Sequence, residues 1–257
     1  MEPNYGYVKG TGCGSRFFFF LRIFLTSSFI VLLISHGNAQ KNIVAVPTSY
    51  ITDKGKSYFQ EQILISNQLI IFSTLSTFGL GREFEFGLEL DDVTLGMKPG
   101  QRGFLFEGSQ NTNPFILVNA QKGFVFSEIY RIGIGTKVGY FITQPLREAR
   151  FANFSYFNNR ITDRYSKNIV NIGLYYLDPT YAGPGNNVGY MLAYQRVLIK
   201  DMLGFAGEYV SGNNDFSYCN LGLQYSLNDI IQFGISAQLP SINSGNKYGI
   251  VLQIVKN

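Results

Sequence analysis

The chain has 257 residues and a net charge of +4, and charged residues make up only 15% of it. So small an excess, without clusters, excludes the concentrated basic surface of a nucleic-acid-binding protein. One histidine and two cysteines leave little material for histidine-based catalysis, for zinc or haem ligation, or for a disulfide framework.

The first 39 residues read as a leader. Lys9, Arg16 and Arg22 accompany the apolar run FFFFLRIFLTSSFIVLLIS at 17–35, and HGNAQ follows. A basic start, an apolar middle and small residues at the cut make a secretory signal. Gly37 and Ala39 take the −3 and −1 positions for cleavage before Gln40. The alternative, an uncleaved transmembrane anchor, needs that run to span a bilayer, and Arg22 interrupts it. Cys13 precedes the apolar run, so a lipid anchor is not expected. Removal of residues 1–39 takes away Cys13 and the only histidine, His36, and leaves Cys219 without an internal partner. Residues 40–56 then read as a periplasmic N-terminal segment and 57–257 as one β-barrel domain, since no linker divides them.

From residue 57 the chain alternates with the period of a strand. The runs fall near 57–65, 69–78, 82–92, 114–120, 127–143, 149–158, 167–177, 187–198, 202–211, 215–226, 230–239 and 246–255. In 82–92, Phe84, Phe86, Leu88 and Leu90 oppose Glu83, Glu85, Gly87, Glu89 and Asp91. In 127–143, Tyr130, Ile132, Ile134, Val138 and Tyr140 oppose Arg131, Gly133, Gly135, Lys137 and Gly139. Near the end, Ile231, Phe233, Ile235, Ala237 and Leu239 oppose Gln232, Gly234, Ser236 and Gln238. Turn signals such as DPTYAGPGNN (178–187), SGNND (211–215), SLND (226–229) and PSINSGNK (240–247) separate the runs. No amphipathic helix is legible after residue 40.

The polar phase consists of Gly, Ser, Asn and Gln far more than of Lys and Glu. That is the composition of a wetted, close-packed interior. Tyr130, Tyr140, Tyr176, Tyr190 and Tyr248 end apolar rows, where interfacial aromatic girdles lie. The expected fold is all-β: a transmembrane antiparallel up-and-down β-barrel of about 12 strands (roughly 10–14), apolar face toward lipid. A soluble lipocalin-like barrel or a β-sandwich shares the period. Either would carry a charged outer row, and none is legible. An even strand count puts both termini in the periplasm. Residues 198–201 and 226–229 become periplasmic turns, and 92–113, 178–187, 211–215 and 240–247 external loops.

Without a histidine after the leader, Ser-His-Asp and Cys-His catalysis lack their base, so no enzyme, cofactor or metal site is expected. GLGREFEFG (79–87) and GIGTKVG (133–139) resemble nucleotide loops only superficially, because neither opens a helix. Gly133, Gly135 and Gly139 read instead as small lumen-facing residues, and Cys219 as a lipid-facing one. The candidate site residues are charged. Glu83, Glu85, Glu89 and Asp91 project from one strand, and Arg131 and Lys137 from a strand two places along. The two rows face inward at similar heights. They form either a salt-bridge network that braces the interior or a constriction that selects solutes.

The phrases YFQEQILIS (58–66) and FGLGREFEFGLEL (78–90), with GLQYS, GISAQLP and YGIVLQ after residue 187, resemble a family of small outer-membrane β-barrels. That family is loosely associated with transport and is named for the MetA pathway of phenol degradation. The resemblance implies a passive channel or transporter for small solutes, hydrophobic ones among them, in a Gram-negative-type outer membrane. It also implies membrane lipid and the barrel-assembly machinery as partners, and it carries over no functional residue. Many outer-membrane barrels end in an aromatic residue, whereas this chain ends Ile254-Val255-Lys256-Asn257. A second reading is a non-conducting structural or surface-interaction barrel with a plugged lumen. Twelve strands lie between the filled eight-stranded and the open 16- to 18-stranded classes.

Overall fold

The structure, a computed structural model, describes residues 44–67, 69–96, 103–104, 114–142, 151–165 and 168–256. The leader, with Cys13 and His36, lies outside the described residues. The elements are β1 (Ser57–Ile65), β2 (Leu69–Gly81), β3 (Phe84–Gly96), a two-residue β4 (Gly103–Phe104), β5 (Phe115–Val125), β6 (Tyr130–Phe141) and β7 (Phe151–Thr162). There follow β8 (Ile169–Leu177), a one-turn helix α1 (Pro179–Ala182), β9 (Val188–Ile199), β10 (Leu203–Val210), β11 (Tyr218–Ser226), β12 (Ile231–Pro240) and β13 (Gly249–Lys256). Each long strand pairs antiparallel with its neighbour in sequence, and β1 pairs with both β2 and β13. Twelve strands therefore close into a barrel; β4 is only a short addition to β3.

The alternation read from the sequence becomes an inside and an outside. On β8, Val170, Ile172, Leu174 and Tyr176 are exposed while Asn171, Gly173, Tyr175 and Leu177 are buried. On β12, Ile235 is 53% exposed and its neighbour Ser236 only 5%. The apolar row looks out on every strand of this kind, and Tyr176, Tyr190 and Tyr248 stand exposed at row ends. A sheet with that surface cannot face water over its whole girth without an unsustainable apolar patch, so its solvent is lipid. Arginine at Ile235 is expected to cost roughly 2–4 kcal/mol, read by unfolding in lipid vesicles, because it places a charge in hydrocarbon. Arginine at Gln232, on the other phase and near a turn, should leave stability unchanged. Equal losses at both positions would invert the facing.

The interior differs from the expected Gly/Ser/Asn/Gln wall in one respect. Phe154, Tyr156, Tyr175, Leu177, Met191, Ala206, Val210 and Val251 form a buried apolar cluster inside the barrel. Phe154 lies 5.1 Å from Phe216 and 6.4 Å from Tyr175, centroid to centroid. Part of the lumen is thus a packed core, filled because a twelve-strand sheet alone leaves space that apolar contact closes more favourably than water.

The turns at the end where β1 begins and β13 stops are short: 82–83, 126–129, 163–168, 200–202 and 227–230. Those at the other end include 178–187, 211–217 and 241–248, and they are longer apart from 66–68. One of them carries α1, which sequence periodicity missed. Its single turn is made by end chemistry rather than by an apolar stripe: Asp178 accepts the Thr180 N–H at 2.8 Å, Pro179 opens the turn, and Gly183 stops it at φ +65°.

Candidate functional site: a lumen filled by the N-terminal segment

Residues 44–52 were expected in the periplasm with the rest of 40–56; instead they thread the lumen. Val44, Val46, Thr48, Ser49 and Ile51 are all buried. The reason is a set of lumen side chains that read the segment's main chain. The Glu208 carboxylate accepts the N–H groups of Val44 at 3.2 Å, Ala45 at 3.0 Å and Val46 at 3.0 Å, and Asn220 donates to its other side at 3.0 Å. The carbonyl of Val44 accepts from Gln60 at 3.0 Å and Gln253 at 2.7 Å. The carbonyl of Pro47, which has no N–H to offer, accepts from Asn158 at 2.7 Å and Asn171 at 3.2 Å. Gln121 donates to the Thr48 carbonyl at 2.6 Å. Buried peptide groups must be paired, and here six side chains from six strands supply the pairing.

Side chains complete the fit. Val44 and Val46 enter the apolar cluster. The Tyr50 ring lies under two guanidinium groups, Arg160 at 4.2 Å and Arg131 at 5.0 Å. Gly133 faces Ser49 so closely that a Cβ would come within 2.8 Å of its Cα. The glycine is therefore clearance for the segment, beyond the small lumen-facing role read from its phase. The segment leaves at the short-turn end, where the Gly55 N–H donates to Gly79 and the Gly79 N–H donates to Lys56.

The structure brings together the two charged rows singled out in the sequence. Lys137 and Glu89, both buried, pair at 2.7 Å. Arg131 reaches Glu83 at 3.9 Å, at the more exposed end. Glu85, fully buried, holds the segment: it accepts the Thr52 N–H at 2.8 Å and the Thr52 hydroxyl at 2.9 Å. Asp91 accepts from the Ser73 hydroxyl and, at 2.5 Å, from Tyr181 of α1. These six residues thus do three things rather than one. Cys219 is half-buried in β11.

Above the segment, toward the long loops, the lumen opens into a cavity of about 660 Å³ whose floor includes Ala45. Asp91, Asp92 and Asp215 line it, with the Glu89–Lys137 pair and Lys247. Asp92 was not read as a lumen residue. It sits at φ +58° in a break of the β2–β3 register, so it departs from the strict alternation on which the phase was read. Burial pushes the Asp215 carboxyl above its usual range, while the Gly245 N–H and the Lys247 charge pull it back. Among the described residues, no group of His, Cys, Asp and Glu is placed to hold a metal ion.

No protein-family model matches the chain, and no curated protein does. Solved structures do match. The KdgM porin in complex with disordered oligogalacturonate superposes with a TM-score of 0.54 at 10% identity, over 78% of this chain and 98% of that one. The NanC porin gives 0.53 at 8% identity, over 78% and 98%. The COG4313 outer membrane channel from Pseudomonas putida F1 gives 0.50 at 10% identity, over 86% and 99%. The likeness is one of fold. It extends to a closed antiparallel barrel of porin type, and identities this low carry no residue across.

Proposed function

We propose that this chain is an outer-membrane passive channel for small solutes, hydrophobic ones included, whose own N-terminal segment is its stopper. The observation that carries the reading is that the obstruction is separable from the wall. Residues 44–52 belong to no strand of the barrel and are held by side chains, so their withdrawal leaves the twelve-strand sheet intact. The apolar exterior, the polar lumen and the porin-like fold support an outer-membrane location, reached by cleavage of the leader before Gln40 and insertion by the barrel-assembly machinery. In this orientation the short turns are periplasmic and the long loops external. Among the described residues, the aspartates that line the vestibule disfavour an acidic polysaccharide such as the one named with KdgM. No catalytic role is proposed.

Deletion of residues 40–52 from the mature chain is expected to convert rare openings in planar bilayers into a steady conductance, with the barrel still folded. The second reading, a permanently plugged structural barrel, is favoured by the number of bonds on the segment. It would be upheld if the deleted protein folds but conducts no more than the intact one.

A further inference from the structure

The cavity above the stopper has walls unlike those of a water-filled pore. Leu64, Ile71 and Leu75 give it aliphatic surface, and Phe115, Phe141 and Phe216 give it aromatic surface. Leu64, Leu75 and Phe115 are buried by their neighbours, while Ile71, Phe141 and Phe216 keep part of their surface open to the cavity, where an apolar solute would cover it. The same space is net negative: against Asp91, Asp92 and Asp215 the described lining offers Lys247, since Lys137 is neutralised by Glu89. Asp91, Asp92 and Asp215 share one wall of the space, and a bound cation would supply their counter-charge. Its volume is that of a small-molecule site, and it lies at the long-loop end, among 179–184, 215–218 and 245–247.

We infer that this cavity binds a small hydrophobic organic cation, a protonated amine carrying an aromatic or branched aliphatic group. The ammonium sits among Asp91, Asp92 and Asp215, and the apolar body lies against Phe141 and Phe216. The aromatic rings contribute twice, by apolar contact and by attraction of the cation to their faces. Anions are rejected by the aspartates, and a neutral apolar molecule leaves them without a counter-charge. The inference names the solute class of the proposed channel and rests on that reading for its physiological meaning.

The mature chain in nonionic detergent, titrated calorimetrically with phenethylammonium, phenethyl alcohol and phenylacetate, tests it. The three probes share a ring and differ in charge. Phenethylammonium is expected to bind about tenfold tighter than the alcohol, with phenylacetate weakest. The double substitution Asp92→Asn, Asp215→Asn should shrink that preference to about threefold or less while leaving the alcohol's affinity in place. Equal affinity for all three, tighter binding of phenylacetate, or no binding of the amine overturns the inference. Binding is read without a membrane current, so the two proposals fail separately. A chain that binds the amine but never conducts after removal of 40–52 refutes the channel; one that conducts but shows no preference for the amine refutes the solute class.

Discussion

Replacing Glu208 with alanine is expected to raise the unplugged fraction of the barrel on the order of a hundredfold. That carboxylate is 3% exposed and takes the N–H groups of three consecutive residues, 44 to 46. A hydrogen bond to a charged group contributes about 1.5–3 kcal/mol, and three donors share two oxygens, so a net loss of about 3 kcal/mol follows. Two measurements report it. Trypsin should cut after Lys54 or Lys56 far faster in the folded barrel, because those residues lie where the segment leaves the lumen and are pinned through Gly79. Single-channel records should show longer open times. Glu208→Gln keeps the volume but halves the acceptors, and should fall between. The strands themselves should melt nearly as before, since beyond the Asn220 amide the bonds that Glu208 makes here go to the segment and not to the sheet. Unchanged trypsin cleavage in Glu208→Ala would mean that the carboxylate is not what seats the stopper.

Lys137→Gln acts on the wall instead, and is expected to cost about 3–5 kcal/mol of barrel stability. It strips the cation from Glu89, which is 7% exposed and paired at 2.7 Å. The double substitution with Glu89→Gln removes both charges and should recover most of the loss, because an uncompensated buried charge is the expensive state. Denaturant unfolding in detergent reads both variants. Destabilisation with unchanged ion selectivity identifies the pair as a brace. Altered selectivity at unchanged stability identifies it as a constriction.

The strands were legible because a membrane barrel writes its two solvents into a period of two, and twelve of the strand runs read from the sequence have a counterpart in the sheet. β3 shows where that method stops. The bulge at Asp91-Asp92 shifts the phase after Leu90, so the strand continues to Gly96 and brings to the vestibule an aspartate that strict alternation leaves out. The stopper was invisible for a different reason. KNIVAVPTSYITDKG has neither strand nor helix period, and its lumen partners lie on strands up to 209 residues away. A trace of it was present: Gln121, Asn158, Asn171, Glu208 and Gln253 put long amides and a carboxylate on inward phases, more hydrogen-bonding capacity than the wall itself consumes. Which peptide would use that capacity is a tertiary fact, written in no local stretch of the chain.

The Val44 carbonyl has a consequence for how the molecule is made. It is held by Gln60 of β1 and by Gln253 of β13, the first and last strands, which meet only when the sheet closes. A contact across so much chain carries a heavy closure entropy and forms late. The seat of the N-terminal segment is therefore complete only when the final hairpin is in register. A sheet without β13 lacks one of the two donors to that carbonyl, and the closed barrel supplies both. A fully bonded stopper thus presupposes that the first and last strands have met.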